Sequence, residues 1–416
     1  MQSADGFSQR IACLVEASPT SAIPQLRLVG PARACGASIE LLTDRDADAD
    51  PRHELDLGDA SMLLVHRTVQ TQYRRYRQLA QSAVRQGIPI VYDVDDLLLK
   101  MADEHPHRRF FEGTVVSTLE ATLHADLVTV TSEPLKQILS SFHPNIVVIP
   151  NRLPLNVWEV FQAARRPSPD NGRRPVRIGY IGTRSHERDL QTIVPALQAV
   201  LTEHPEAAFI CYGIQPPPAI AGLPNTTFVE PSRAARDDYL VYAKEASKLG
   251  LDIGIAPLID SEFNRCKSQI KLLEYGALGI AGVYSRVAPY TSSVEEGVTG
   301  LLVDTPAEWR SGLERLIREP ALYRAIGEEA FRQVQEQWLI PSGAAQWRSA
   351  WQRAAEVAKA GPRPFELRPA SDLIAMMRQA MAYQQRNEKQ HRLKRRIKEI
   401  KSRARRIFAW KTRRAA

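Results

Sequence analysis

Residues 263–279, FNRCKSQIKLLEYGALG, decide how this chain is read. Lys267 stands just ahead of a helical run that Ser268 is placed to cap, and Lys271 and Glu274 fall within its first two turns. A helix start presents unpaired amides and the positive end of its dipole, so an anion is favoured there. Lys267 adds a fixed cation, and a carboxylate at Glu274 can accept from a pair of ribose hydroxyls. Lys271 and Glu274 also fit an ordinary i,i+3 surface pair worth a few tenths of a kcal/mol. That pair leaves unexplained the company of Asn264, Lys267 and Ser268, and the ALG turn, new strand and second glycine loop that follow.

Working outward, the same half holds a second phosphate-sized feature. VRIGYIG (176–182) reads as a strand, and Asp189 opens an amphipathic helix over 189–205. Gly182 lets the backbone pass close to a ligand, and Arg184, His186 and Arg188 surround the helix start where an anion would lie. The same residues also fit a glycine turn with solvated charges. Strands at 207–213, 226–231, 251–258, 281–285 and 300–304 alternate with helices at 237–250, 268–279, about 306–318 and 320–337. The first half repeats this rhythm, with strands IACLVEA (11–17), ASMLLVHR (60–67), IPIVYDV (88–94) and NIVVIPN (145–151), a strand after the helix end in 121–132, and helices over 26–36, 71–87 and from Ser132 to Phe142. Apolar strands alternating with helices predict parallel sheets covered on both faces. The polar stretch AARRPSPDNGRRP (163–175) separates the halves as a linker. The expectation is α/β: two Rossmann-like doubly wound domains, 10–165 and 172–340, facing a cleft where ligands bind, then a crossover helix (341–360) and a basic helical tail (361–416).

In the first half, Asp93, Asp95 and Asp96 follow the strand IPIVY and are expected at the cleft, one capping a helix over LLLKMAD and one meeting an acceptor. His66 and Arg67 end the strand before them, and Arg27 lies after the first strand; each is a candidate for the acceptor side. His66 fits a satisfied structural histidine equally well. Asp-x-Asp also marks transferases that hold a divalent ion on a diphosphate, but two Rossmann-like halves argue against that use here. Trp158 and Trp338 read as packing residues.

These motifs carry a resemblance. Val176–Trp338 resembles the donor domain of glycosyltransferase family 4, the group 1 transferases of the GT-B fold, in KSQIKLLEYGALGIAGVYS followed by EEGVTGLLVD and in GTRSHERDL. The first half is similar to that family's acceptor domain in VYDVDDLLL, HADLVTVTSEPL and IPNRLPLNVW. The resemblance implies that Glu274 is the second glutamate of the family's Glu-x7-Glu motif, the ribose ligand, and that Arg188 stands at its phosphate-binding lysine. Thr183 stands where the family often has arginine, and Cys266 where it has the first glutamate. Asn264, Lys267 or Ser268 is then expected to replace that glutamate. The resemblance further implies a retaining, metal-independent transfer with no cofactor beyond the nucleotide-sugar donor, and no protein nucleophile. Asp95, Asp96 and His66 are the acceptor-side candidates for chemistry.

The net charge of +8 is uneven. Residues 386–416 carry 14 Lys/Arg against Glu388 and Glu399, leaving 41 basic against 45 acidic residues elsewhere. In the tail Leu393, Ile397, Ile400, Ile407, Phe408 and Trp410 lie among the cations, which suits an anionic membrane surface and a lipid-linked acceptor; a partner helix or a solvated end are the alternatives. The tail has no recognisable nucleic-acid-binding fold. Four cysteines without CxxC spacing fit reduced thiols, and the lack of a signal core or spanning segment predicts a cytoplasmic protein, peripheral at the inner face of a membrane if the tail binds lipid. The sequence thus predicts a glycosyltransferase that moves a sugar from a nucleotide diphosphate to a glycan or lipid-linked acceptor in cell-surface polysaccharide synthesis. Two other readings share the architecture: a nucleotide-sugar epimerase, and a non-catalytic nucleotide-sugar-binding protein, the latter raised by Cys266.

Overall fold

The computed structural model describes residues 9–42, 57–69, 72–101, 108–164 and 175–360. By its contacts the chain divides into Met1–Arg363 and Pro364–Ala416, and the second unit, with the basic helical tail expected there, lies outside the described residues. Most of the expected linker, 165–174, lies outside them too.

The first unit holds two parallel six-stranded sheets. The first comprises β1 (Arg10–Leu14), β2 (Ser38–Leu42), β3 (Met62–His66), β4 (Ile90–Val94), β5 (Leu127–Val130) and β6 (Ile146–Val148), in the order β2-β1-β3-β4-β5-β6. The second comprises β7 (Val176–Ile181), β8 (Ala207–Tyr212), β9 (Thr226–Val229), β10 (Ile253–Ala256), β11 (Ala281–Ser285) and β12 (Leu301–Val303), in the order β12-β11-β10-β7-β8-β9. The central strands MLLVH and IVYDV are buried at every position, as expected of strands covered on both faces. No described helix is long and apolar enough to cross a membrane.

The two lobes exchange helices. Leu155–Ala164 leaves the first sheet and packs on the second lobe, where the Trp158 ring meets Phe331 at 4.8 Å. Ala344–Lys359, the last described helix, returns to the first sheet and buries Trp347, Trp351 and Ala354 against Ile11, Cys13, Val91 and Leu127. The two crossing segments run side by side: Leu153 N–H reaches Trp338 O at 2.8 Å and Ile340 N–H reaches Leu153 O at 2.9 Å.

Three expectations need correction. The helix foreseen over 189–205 is two, Glu187–Gln191 and Val194–Glu203. Pro195 lies in the first turn of the second, where its missing N–H costs nothing, so the chain restarts there. Leu97–Lys100 forms a turn, with Leu98 N–H on Asp96 O at 2.8 Å, so neither Asp95 nor Asp96 caps a helix over those residues. The helix expected from Ser268 begins at Ile270, and no side chain caps it. The serine that does cap is Ser261, which accepts from Asn264 N–H at 3.2 Å and starts the short helix Glu262–Arg265.

Candidate functional site

In the second sheet the chain runs outward from β7 through β8 to β9, then returns to place β10 on the other side of β7. Ligands in such sheets sit outside the carboxyl ends of the strands where the order reverses. Gly182 follows β7, and a Cβ there would lie 2.6 Å from the Tyr180 ring. A Cβ on Gly213, at φ +84°, would lie 2.3 Å from Gly182 O. The ends of β7 and β8 therefore meet backbone to backbone, a closeness that glycine alone permits.

Asp189 joins the two segments that flank the reversal. Its Oδ1 accepts from Ile259 N–H at 2.9 Å and from Asn264 Nδ2 at 3.2 Å, both beyond β10. Its Oδ2 lies 2.8 Å from His186 Nδ1, on the turn beyond β7. Asn264 also donates to Ile259 O at 2.9 Å, so the loop after β10 is fixed by its own backbone and by this carboxylate. Burial, with the charges of Lys267 and Lys271 adding to it and Asp189 pulling the other way, lowers the His186 imidazole to about 4.

Lys267 and Lys271 bring the fixed positive charge. The Lys267 ammonium lies 4.7 Å from the centre of the Phe263 ring. Lys271 donates to Ile181 O, the last residue of β7, and sits 5.5 Å from the Tyr180 ring centre. Burial pushes the Lys271 ammonium below its ordinary value, with Lys267 acting in the same direction and Glu274 and Asp189 opposing. Thr183 and Ser185 share a hydrogen bond of 2.7 Å at the turn, from which Arg184 and Arg188 extend as exposed side chains.

Glu274 is buried, and both its oxygens are engaged: Tyr239 OH donates to Oε1 at 3.1 Å and Tyr242 OH to Oε2 at 2.9 Å. The two rings stack at 5.7 Å on the helix Tyr239–Ser247, whose cap Asp238 accepts from Leu240 and Val241 N–H. Two oxygens offer four lone pairs, so a hydroxyl pair still finds acceptors here. Burial pushes this carboxyl up, against the pull of Lys271 and the two phenols. Cys266 is buried as well, and burial pushes its thiol up to about 12, so it supplies no charge in place of a glutamate.

In the first lobe the order reverses between β1 and β3. Asp93 is the hub there. Its Oδ1 accepts from Arg27 Nη2 at 2.7 Å and Thr129 Oγ1 at 2.6 Å; its Oδ2 meets Arg27 Nε at 3.2 Å and His66 Nδ1 at 3.1 Å. Burial alone would raise the Asp93 carboxyl; Arg27 and His66 outweigh it and hold it well below the carboxylate range. Arg27 is 1 % exposed, with its guanidinium 4.7 Å over the Trp347 ring, so it is a structural ion of the lobe rather than a cleft cation. Arg67 adopts φ 53°, a left-handed backbone that costs an arginine about 1–3 kcal/mol. Arg67 N–H on Asp93 O at 2.9 Å and Tyr92 OH on Arg67 O at 2.8 Å hold it there. Its guanidinium then forks to Asp95 Oδ2 at 3.2 Å and Asp96 Oδ2 at 3.1 Å. His66 Nε2 and Asp95 Oδ1 are buried without a hydrogen-bond partner among the described residues. Burial raises the Asp95 carboxyl, with Asp96 adding to the rise and Arg67 and His66 opposing it.

The lobes meet through polar groups. Asn151 accepts from Arg27 Nη1 at 3.3 Å and donates to Ser268 Oγ at 2.9 Å, so hydrogen bonds run unbroken from His66 through Asp93, Arg27 and Asn151 to Ser268. Ser132 donates to Cys266 O at 2.9 Å, and Tyr239 N–H reaches Thr20 O at 2.8 Å. The structure thus brings His186 and Asn264 onto the Asp189 carboxylate, with Lys271 on the last carbonyl of β7 and Lys267 over Phe263, and holds His66, Asp95 and Asp96 on the other lobe. Sequence reasoning missed the roles of Asp189, Asn151, Tyr239 and Tyr242. The i,i+3 tyrosine pair was visible as a helical face; the inward turn of Asp189 was hidden by assigning it to a longer amphipathic helix.

By sequence, no protein-family model matches the chain and no curated protein matches it. By structure it is similar to sucrose-phosphate synthase from Thermosynechococcus elongatus, with a TM-score of 0.57 and 16 % identity over 83 % of this chain and 98 % of that one. It is also similar to Anabaena HepE in complex with UDP and glucose, TM-score 0.56 and 14 % identity over 83 % and 99 % of the two chains. A glycosyltransferase from Rickettsia africae follows, TM-score 0.51 and 12 % identity over 85 % and 100 %. With its two parallel sheets and exchanged helices, the first unit has the α/β GT-B fold of these glycosyltransferases.

Proposed function

We propose that this chain is a glycosyltransferase that binds a nucleotide-diphosphate sugar on its second lobe and transfers the sugar to an acceptor held by the first. The observation that carries this reading is the grouping of basic side chains beyond β7 and β10: His186 on Asp189, Lys271 on the last carbonyl of β7, and Lys267 four residues before it, with Glu274 on the same helix as Lys271. Two lysines beside the end of a strand suit a polyanion, and a departing diphosphate is one. Glu274, held by two phenols, is left to accept ribose hydroxyls; Gly182, Thr183, Arg184 and Arg188 line the diphosphate side, with Asn264 and Ser268 completing the donor set. HepE, which this chain resembles in fold, has a structure in complex with UDP and glucose, which supports a nucleotide-sugar donor.

On the first lobe, His66 Nδ1 lies 3.1 Å from Asp93 Oδ2, and His66 Nε2 and Asp95 Oδ1 are each left without a partner among the described residues. These two atoms are suited to take a hydrogen bond from the acceptor hydroxyl, with Arg67 and Asp96 fixing Asp95. We assign the reaction to the retaining, metal-independent class, in which the sugar arrives with no protein nucleophile and no cofactor. The acceptor is assigned as a glycan or lipid-linked sugar at the inner face of a membrane, reached through the cations of 386–414. The buried thiol of Cys266 favours one second reading, a protein that binds nucleotide sugars without transferring them.

A thermal-shift panel of nucleoside diphosphates and nucleotide sugars, followed by a sugar-release assay, tests this. Lys267→Ala and Glu274→Gln abolish the best ligand's shift and leave the ligand-free melting point no lower than about the wild-type value. His66→Asn and Asp95→Asn keep the shift and lose sugar release by about 100-fold or more. A panel without any shift would sink the donor site; a shift without sugar release in the wild type would favour the non-catalytic reading.

A further inference from the structure

We propose that the ribose end of the donor site is braced from the opposite lobe. Thr20 fixes the start of the helix Tyr239–Ser247, and the two tyrosines of that helix hold the Glu274 carboxylate for a pair of vicinal hydroxyls, so the donor is a ribonucleotide rather than a 2′-deoxyribonucleotide. The inference rests on the donor site proposed above and names what its ribose end selects and which residues set it.

Hydrogen-bond geometry around Glu274 leads to it. Tyr239 and Tyr242 donate to different oxygens, at 3.1 and 2.9 Å, from one face of a single helix. A carboxylate held at both oxygens does not swing about its last bond, and each oxygen keeps a lone pair for another donor. Two such acceptors side by side suit the 2′ and 3′ hydroxyls of one ribose. Glu274 stands three residues after Lys271 on the helix Ile270–Ala277, so it shares that face about 4.5 Å further along the axis. Lys271 donates to Ile181 O at the end of β7, which puts the carboxylate one turn from the diphosphate end. Glu274 is 6 % exposed, so water replaces a missing hydroxyl poorly and a deoxyribose leaves a buried charged acceptor underfilled.

The first lobe fixes the tyrosine helix. Tyr239 N–H reaches Thr20 O at 2.8 Å, and Thr20 Oγ1 donates to Asp237 O at 2.7 Å. Thr20 belongs to the segment that follows β1. At one end of that segment Glu16 accepts from Thr68, just beyond β3. At the other end Leu26 packs into the second-lobe core that holds Tyr239, Ala243 and Tyr275, while Arg27, the next residue, is bound to Asp93 in the first lobe. Tyr239 thus takes its main-chain position from the first lobe and passes it to the carboxylate through its phenol.

Calorimetry of the full chain with UDP, GDP, ADP and CDP, and with their 2′-deoxy counterparts, tests this. For the base that binds best, the wild type is expected to favour the ribose form by about 10- to 100-fold, as one hydrogen bond to a charged group allows. Tyr239→Phe and Tyr242→Phe are expected to narrow that ratio severalfold by weakening the ribose form and leaving the deoxy form almost unchanged. Thr20→Gly removes the hydroxyl and loosens the backbone that accepts from Tyr239; it is expected to narrow the ratio in the same way, and Thr20→Ser to restore it. Thr20 is exposed and Tyr→Phe removes one oxygen, so these variants are expected to fold. A merely structural role would weaken both forms alike and leave the ratio as it is. Equal affinity of the wild type for both forms overturns the inference and leaves the phosphate end of the donor site standing. An unchanged ratio in both phenylalanine variants, or in Thr20→Gly, overturns it as well. Failure of every diphosphate to bind overturns the donor site with it.

Discussion

At the scale of the residue, two buried carboxylates do opposite things. Asp93 is paired on both oxygens with Arg27 and His66 inside the first lobe, and its carboxyl is held below the ordinary range. Such a group stabilises the fold fully above the unfolded carboxylate value near pH 4 and loses that contribution as pH falls through its own lower value. Asp93→Asn strands the Arg27 guanidinium in the core and is expected to cost about 3–5 kcal/mol in urea unfolding at neutral pH, with the gap to wild type narrowing in acid. A gap that stays constant down to low pH would mean the pair is not the source. Glu274 is the reverse case: burial raises its carboxyl, so its charge opposes folding as pH rises. Glu274→Gln is therefore expected to leave the melting point at neutral pH unchanged or higher while removing the nucleotide-induced shift. A lower melting point would make Glu274 a structural residue.

At the scale of the element, the donor site depends on how helix starts and strand ends are placed. The sequence located the glycine turn after β7 and the lysine-bearing helix after β10, because glycine punctuation and a 3.6-residue period are local signals. It misplaced the cap of that helix at Ser268, because Asn151, distant in sequence, takes the Ser268 hydroxyl. It merged the helices around Pro195, and so concealed that Asp189 sits in a short separate helix with its carboxylate turned inward. A non-local partner decided the first miss and a local proline the second. The helix Tyr239–Ser247 offers a check at this scale: its cap Asp238 fixes the end that carries both tyrosines on Glu274. Asp238→Ala is expected to cost about 1 kcal/mol of stability and also to weaken nucleotide binding severalfold. Loss of stability with unaltered binding would separate the cap from the site.

At the scale of the whole first unit, the two sheets share one strand logic, and the parallel sheets were legible because strand and helix periods alternate along the chain. The lobe contacts were not legible, since Asn151 to Ser268, Ser132 to Cys266 and Thr20 to Tyr239 join residues more than a hundred positions apart. They put the acceptor-side histidine and the donor loop in one hydrogen-bonded chain, so Asn151→Ala is expected to lower sugar release more than nucleotide affinity; equal losses in both would place Asn151 in the donor site alone. The returning helix closes the first lobe, and Trp351→Ala is expected to cost about 3–5 kcal/mol from its packing against β1 and β4. The central claim is that a nucleoside diphosphate occupies the reversal point of the second sheet. A crystal structure of the protein grown with its best-binding diphosphate tests that most directly. The account predicts phosphate oxygens among Lys267, Lys271 and His186 beside the Gly182 turn, and the ribose on Glu274. A nucleotide bound elsewhere, or one that leaves Glu274 and both lysines untouched, would contradict it.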